Sequence, residues 1–354
     1  MIDRFRPGRP WLDTEGKAIH AHGGSVLFLD GMYYWYGENK EFTDGKNGIW
    51  HWGVRGYRSS DLYNWEDCGL IIPPDTEDES SPLHPSSMMD RPHILYNEKT
   101  KKFVCWLKIM ERNGEQTETV LTADSFLGPY TIDKTALRPY GMSAGDFDLA
   151  KDENGKAYYF FERVHSELIC AGLTETYTEV AGEYSRHFPR RQPPYVREGI
   201  AHFLRNGKHY LITSGTTGYL PNPSELAIAD DWHGPYTVLG DPHPSDASRT
   251  SWHSQVSCVF KVEGKRDLYI AMADRWVPDR MELRYEDYAE WFRVRFSPDS
   301  TPEERAANEE RAKRLPLDGN IDTSKARYVW LPFRFEGEMG VLDWREEWSL
   351  DEFE

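Results

Sequence analysis

The sequence is short of cysteine and of positive charge, and no stretch of it approaches eighteen consecutive apolar residues. The missing apolar run leaves no candidate membrane-spanning helix. The N-terminal MIDRFRPGRPWLD also lacks the apolar region of a signal peptide, so a cytoplasmic chain is the expectation. With 42 Lys and Arg against 59 Asp and Glu, the net charge is −17. Nucleic acid and anionic lipid both need a basic face to displace counterions, so neither is an expected partner, and a neutral ligand is. Oligomeric state stays open. Cys68, Cys105, Cys170 and Cys258 stand apart, with no CxxC pair, and read as reduced thiols, three of them in strand-like runs. No cluster has the ligand spacing of a catalytic metal, so no metal or cofactor is expected to be required. A structural Ca or Na ion in a central channel is the one ion left open.

What the chain has in plenty is aromatic: 13 Trp, 20 Tyr and 16 Phe, far above ordinary usage. Most of these rings are expected to pack against one another in a core. Their arrangement is periodic. Five times a short aromatic strand follows a Gly/Lys/Asp turn: GMYYWYGE, TKKFVCWL, GKAYYFF, GKHYLITSG and RDLYIAMAD. Aligning Tyr34, Phe103, Tyr158, Tyr210 and Tyr269 gives spacings of 69, 55, 52 and 59 residues, the signature of radially repeated sheets. Three units also carry a polar-turn-aromatic segment, SSDLYNWED, TADSFLGPYT and IADDWHGPYT, placed as the outer strand of a four-stranded blade would be. A β-sandwich would show turn signals every 8–12 residues without this longer shared pattern. The expected fold is all-β, a five-bladed β-propeller that occupies residues 1–354 as a single catalytic domain. Within it, about 296–316 reads as a short helical surface insertion in the last blade, since SPDSTPEERAANEERAKR offers caps, Pro302 and helix formers. Residues 327–350 read as closing strands.

In such a ring the blades converge on a shallow central pocket, so polar groups flanking the aromatic strands are the candidates for chemistry. Asp146 and Glu198 each stand 12 residues before an aligned aromatic, Asp90 stands 13 before and Gln255 stands 14 before. Glu38 ends the first aromatic strand, Arg91 follows Asp90, and Asp148 lies beside Asp146. Carboxyls gathered in one pocket push their pKa values apart, so that one stays protonated while another is ionised. Glycoside hydrolysis needs that pairing.

These residues and their blocks, AHGGSVLFLDGMYYWYGE, DRPHILYNEKTKKFVCWL, GDFDLAKDENGKAYYFF and REGIAHFLRNGKHYLITSGTTGY, resemble glycoside hydrolase family 43, and within it the branch that contains exo-β-1,3-galactanases. The resemblance runs over nearly the whole chain. It implies an inverting exo-glycosidase that releases galactose from β-1,3-galactan or arabinogalactan-type glycans, with an oligosaccharide or polysaccharide as partner. Glu198 falls where the family has its general acid, although the usual Glu-Ala-Pro reads Glu-Gly-Ile here. Asp146 falls where an Asp raises that acid's pKa. The first inner strand carries His22, Gly23 and Gly24 where the family base, an Asp, is expected. The resemblance gives Gln255 the role of holding the water, either as an amide or as an imidic acid. Asp90 replaces a Glu of the branch. Glu38, Arg91, Glu162, Thr216, Thr217 and Gly218 are the implied sugar-binding companions. Trp35, Tyr36, Trp252 and Tyr219 are candidate stacking platforms. His253 reads as a hydrogen-bonded core histidine ahead of a metal or water ligand. Glu162, Arg163 and His165 form a more charged set than the branch suggests and leave room for a β-galactofuranosidase or an α-L-arabinofuranosidase. Two further alternatives are a non-catalytic carbohydrate-binding propeller and a phosphorylase that takes phosphate on Arg91, Arg163 or Arg197.

Overall fold

A computed structural model describes residues 2–313, 315 and 321–354. Four antiparallel four-stranded sheets and one three-stranded sheet stand around a common axis. Blade I is β1 (His22–Leu29), β2 (Met32–Glu38), β3 (Val54–Ser59) and β4 (Glu66–Ile72). Blade II is β5 (Met88–Asn97), β6 (Lys102–Met110), β7 (Gln116–Ala123) and β8 (Thr131–Leu137). Blade III is β9 (Ala144–Lys151), β10 (Ala157–Arg163), β11 (Glu167–Leu173) and β12 (Val180–His187). Blade IV is β13 (Arg197–Arg205), β14 (Lys208–Gly215), β15 (Glu225–Ala229) and β16 (Thr237–Gly240). Blade V is β17 (Gln255–Lys261), β18 (Tyr269–Arg275) and β19 (Arg327–Pro332), followed by a hairpin of β20 (Arg334–Glu336) and β21 (Met339–Val341). The fold is the expected five-bladed propeller.

Burial is greatest in the middle strands of the blades and least in the fourth. Strands β6, β10, β14 and β18 are apolar on both faces and almost wholly buried, whereas the outer strand β8 is exposed along most of its length. A strand sandwiched between neighbouring blades reads as a continuous apolar run, which is why the aromatic repeat was visible at all. All five aligned aromatics fall on the second strand of a blade, and the innermost strand is the one before it. The polar-turn-aromatic segments are mainly the turns that lead from the third strand into the fourth. Each buried Trp or Tyr removes about 150–250 Å² from water, roughly 4–6 kcal/mol as an upper bound.

The ring closes between blades I and V through a cluster of Phe5, Trp11, Trp35, Trp65, Trp330 and Trp348. Phe5 stacks on Trp348 at 4.1 Å and pairs with its backbone, joining an N-terminal and a C-terminal segment. Closing the ring this way leaves fewer sheet edges unpaired.

The helical insertion lies in the last blade, between β18 and β19, and has two helices. Helix α2 (Pro302–Ala312) falls within the expected segment, with Thr301 as its cap and Glu304 completing a capping box. Residues 314 and 316 at the end of that segment lie outside the described residues. Helix α1 (Tyr285–Phe296) begins earlier than expected and is not a polar surface element. Its Tyr285, Tyr288 and Phe292 bury against Leu220, Val277 and Leu283. The polar composition of residues 297–313 drew the expectation toward α2 and away from the amphipathic helix before it. Of the four cysteines, Cys105, Cys170 and Cys258 are buried in strands and Cys68 is half-buried, all with free thiols.

Candidate active site

Every innermost strand carries a bulge near its start. Opposite a single residue of the second strand lie Gly23–Gly24 in β1, Arg91–Pro92 in β5, Gly145–Asp146 in β9 and Gly199–Ile200 in β13; β17 has an extra residue at the same place. Bulges re-aim side chains and are common beside active sites. Just before each bulge stands a cross-strand pair: His22 with Glu38, Asp90 with Lys108, Ala144 with Arg163, Glu198 with Ser214, and Gln255 with Asp274. These pairs form one polar layer around the axis. Asp146 sits two residues deeper, inside the bulge of blade III.

The layer opens into a pocket of about 280 Å³. Glu38, Asp90, Arg91, Asp146, Glu198, Gln255, Thr216, Gly218 and Tyr219 all line it, so residues picked from all five repeats of the sequence meet in one cavity. Several other candidates lie elsewhere. Trp35 and Tyr36 are fully buried in the core between blades, because they stand on β2 beneath the polar layer. Trp252 donates its indole N–H to Leu342 O and packs against Trp344, away from the pocket. His253 is buried in the same turn, its pKa lowered chiefly by burial. That turn, with positive φ at Arg249, Ser251, Trp252 and His253, is tied by Asp246, whose Oδ2 accepts from the backbone N–H of Thr250 and Trp252. The turn leads directly into Gln255 at the start of β17. Thr217 is buried and bonded to Leu220 O and Asn222. Glu162 stands behind the wall over Gly145 and bonds His165, which does line the pocket. Asp148 lies deeper on the axis, held by His93 Nδ1 at 2.8 Å and the backbone N–H of His202 at 2.6 Å.

Charge in the pocket is sharply partitioned. Asp146 Oδ2 pairs with Arg91 at 2.8 Å and Oδ1 with Lys108 at 2.8 Å, while the Gly199 N–H adds a third bond at 3.1 Å. Burial opposes its charge, but the two cations hold its carboxyl well below the usual carboxylate range. Glu198, by contrast, has no hydrogen bond or ion pair to its carboxyl among the described residues. Burial first, then the charges of Asp146 and Glu162, push its pKa well above the usual range. Glu38 is buried, accepts from the Arg91 backbone N–H at 3.0 Å and pairs with Lys40 at 2.8 Å. Its burial outweighs Lys40 and lifts it to about 7, with Asp90 contributing in the same direction. Asp90 accepts from Trp50 Nε1 at 2.7 Å and pairs with Lys108 at 3.2 Å. Gln255 is pinned at both ends: Oε1 accepts from Arg91 at 2.8 Å and from Trp276 at 3.4 Å, and Nε2 donates to Ser214 Oγ at 2.8 Å.

Backbone conformation makes this packing feasible. Gly23 has φ +61°, and a Cβ there would fall on Glu38 Oε1; Gly199 has φ +55°, and a Cβ there would press on Ser214 and Gln255. Arg91 adopts φ +56° without being glycine, a strained state that its side chain's two pocket bonds over-determine.

Sequence reasoning missed Lys40, Trp50, Lys108, Gln116, Trp276, Phe292 and Phe296. Lys108 had a signal, since it is a lone charge in the apolar run FVCWLKIM and stands opposite Asp90. Trp50, Phe292 and Phe296 come from loops and a helix outside the repeat. Among the described residues no three His, Cys, Asp or Glu side chains gather as metal ligands, and no helix is long and apolar enough to cross a membrane.

The family model described as glycosyl hydrolases family 43 matches residues 20–274. A solved GH43 β-1,3-galactosidase superposes with a TM-score of 0.78 at 29% identity, covering 99% of this chain and 64% of that one. An exo-β-1,3-galactanase from Phanerochaete chrysosporium, solved with β-1,3-galactotriose, shares the fold with a TM-score of 0.77 at 22% identity, over 99% of this chain and 68% of that one. A β-xylosidase candidate of Escherichia coli (strain K12) is 28% identical over 236 residues, 58% of this chain and 38% of that protein. The chain thus spans well under half of that curated relative and just under two thirds of the galactosidase.

Proposed function

From its membership of glycosyl hydrolases family 43, we propose that this glycoside hydrolase is an inverting exo-enzyme that removes galactose from the ends of β-1,3-linked galactans. The observation that carries the reading is the contrast between Glu198 and Asp146. One carboxyl is half-buried without a partner among the described residues and pushed up, and its neighbour is locked as an anion by Arg91 and Lys108. Two carboxyls with pKa values driven apart supply an acid at neutral pH and the charge that keeps it protonated.

The roles follow from the bonds each group has left. Glu198 gives its proton to the glycosidic oxygen. Gln255 has filled Oε1 with Arg91 and Trp276 and has spent one N–H on Ser214, so its second N–H is free to hold the attacking water. Asp90, bonded to Trp50 and Lys108, keeps lone pairs that accept that water's proton as it attacks. Glu38 and Arg91 are placed to bind hydroxyls of the sugar at the base of the pocket. Galactose is supported by the likeness to a β-1,3-galactosidase, and a neutral glycan by the net charge of −17.

Digests of β-1,3-galactan resolved by chromatography test this reading, with aryl β-xylosides and α-L-arabinofuranosides as parallel arms. The expected outcome is free galactose from the wild type and at least a hundredfold loss in Glu198→Gln. Undiminished turnover by that variant, or release of xylose in place of galactose, would overturn the assignment.

A further inference from the structure

Helix α1 reaches the pocket from outside the blades. Phe292 and Phe296 line the same cavity as Glu198, and His165 lies there with them. Phe292 is anchored: it is 8% exposed and packs with the buried face of the insertion. Phe296, one turn further on, is 37% exposed. The His165 ring meets Phe296 edge-on at 5.5 Å. Nδ1 of His165 is bonded to the buried Glu162 at 3.0 Å, and Nε2 has no partner among the described residues. The insertion is tied to the blades by Gln192, which donates to Arg293 O at 2.8 Å, and by Tyr288, which bonds Pro221 O.

An exposed ring at the mouth of a polar pocket, with a histidine edge whose one nitrogen is fixed by a carboxylate, has the makings of a sugar subsite: an apolar face for the C–H side of a pyranose and a polar atom for one hydroxyl. Its position decides which sugar. The base of the pocket, where Glu38, Arg91 and Asp146 are nearly fully buried, takes the residue to be cleaved off. Glu198 must stand at the linkage oxygen, so the side of Glu198 that faces solvent belongs to the leaving group.

Resting on the reading under Proposed function, we propose that Phe296 and His165 form the leaving-group subsite, with Phe296 as the platform beneath an uncharged pyranose and His165, held by Glu162, as its hydrogen-bonding partner. The helical insertion of the last blade thereby selects a glycan over a small alcohol as the leaving group. Neither residue touches the reacting atoms; both position the departing sugar.

The test compares two substrates that differ only in what departs: β-1,3-galactobiose, whose leaving group is a pyranose, and β-galactosyl fluoride, whose leaving group has no ring. Phe296→Ala and the bulkier Phe296→Leu, at a position 37% exposed, should lower kcat/KM for the disaccharide about five- to tenfold, as the loss of one ring contact predicts. Kinetics on the fluoride should stay within about twofold. His165→Gln should show the same split. Equal losses on both substrates, or none on the disaccharide, would overturn the subsite while leaving the galactosidase reading intact. A folded wild type that cleaves neither substrate would overturn both.

Discussion

Replacing Asp146 with Asn keeps shape and removes one charge, so its consequences can be worked out from the pocket. The acid Glu198 acts in its protonated form, and kcat/KM falls as pH rises through its pKa. The negative charge of Asp146 helps hold that pKa up, and without it Arg91 and Lys108 act on Glu198 uncompensated. Both changes have the same sign. The alkaline limb of the pH profile should move to lower pH by about one to two units, each worth about 1.4 kcal/mol. Stability changes too, because two buried cations lose their shared partner, at about 3–5 kcal/mol for a broken buried pair. That corresponds to a fall in Tm of about 4–7 °C for a chain of 354 residues. The folded-state pKa of Asp146 is depressed, so its stabilisation is present above the ordinary Asp value of 3.8 and fades as pH drops below it. The gap between wild type and variant should therefore be full at pH 7 and narrow below about pH 4. Steady-state rates across pH and thermal melts at pH 7 and pH 3 supply both readouts. A folded Asp146→Asn variant whose alkaline limb stays in place, or moves up, would refute the electrostatic argument.

Two other substitutions probe the layer around the axis. Gln255→Ala removes the amide that holds the water and frees one bond of Arg91; kcat should drop about 10²–10³-fold with KM changed only severalfold, measured by initial rates. Gly23→Ala puts a methyl where Glu38 Oε1 lies, at φ +61°; it should cost roughly 1–3 kcal/mol in denaturant unfolding and raise KM as Glu38 is displaced.

The repeat was readable because the second strand of each blade is apolar on both faces, and the pocket was readable because distances measured back from that strand land near its start. The distances worked for a reason other than strict equivalence. Tyr34 and Tyr210 stand four residues before the polar layer on their strand, whereas Phe103, Tyr158 and Tyr269 stand five before it. A one-residue slip of that kind turns side chains to the other face. It is absorbed by differing hairpin lengths and by the bulges, so Asp90, Glu198 and Gln255 do share one register while Asp146 lies two residues beyond it. His22 shares that register as well. It occupies the layer without being free for chemistry, because Nδ1 bonds Asp274 at 2.9 Å and Tyr328 OH sits 3.2 Å from Nε2, closing the ring. Aromatic content misled where it was judged by local sequence alone. Of the candidate platforms Tyr219 does line the pocket, but Trp35 and Tyr36 face the core, and the further rings that line the pocket, Trp50, Trp276, Phe292 and Phe296, come from loops and helix α1, whose placement depends on contacts far away in sequence.

Inversion is the central claim, and proton NMR of the first turnovers on β-1,3-galactobiose tests it most directly. The account predicts that the sugar released from the non-reducing end appears first as α-galactopyranose and then mutarotates. Initial appearance of β-galactopyranose would mean that a carboxylate attacks the sugar and would contradict the roles given to Gln255 and its water.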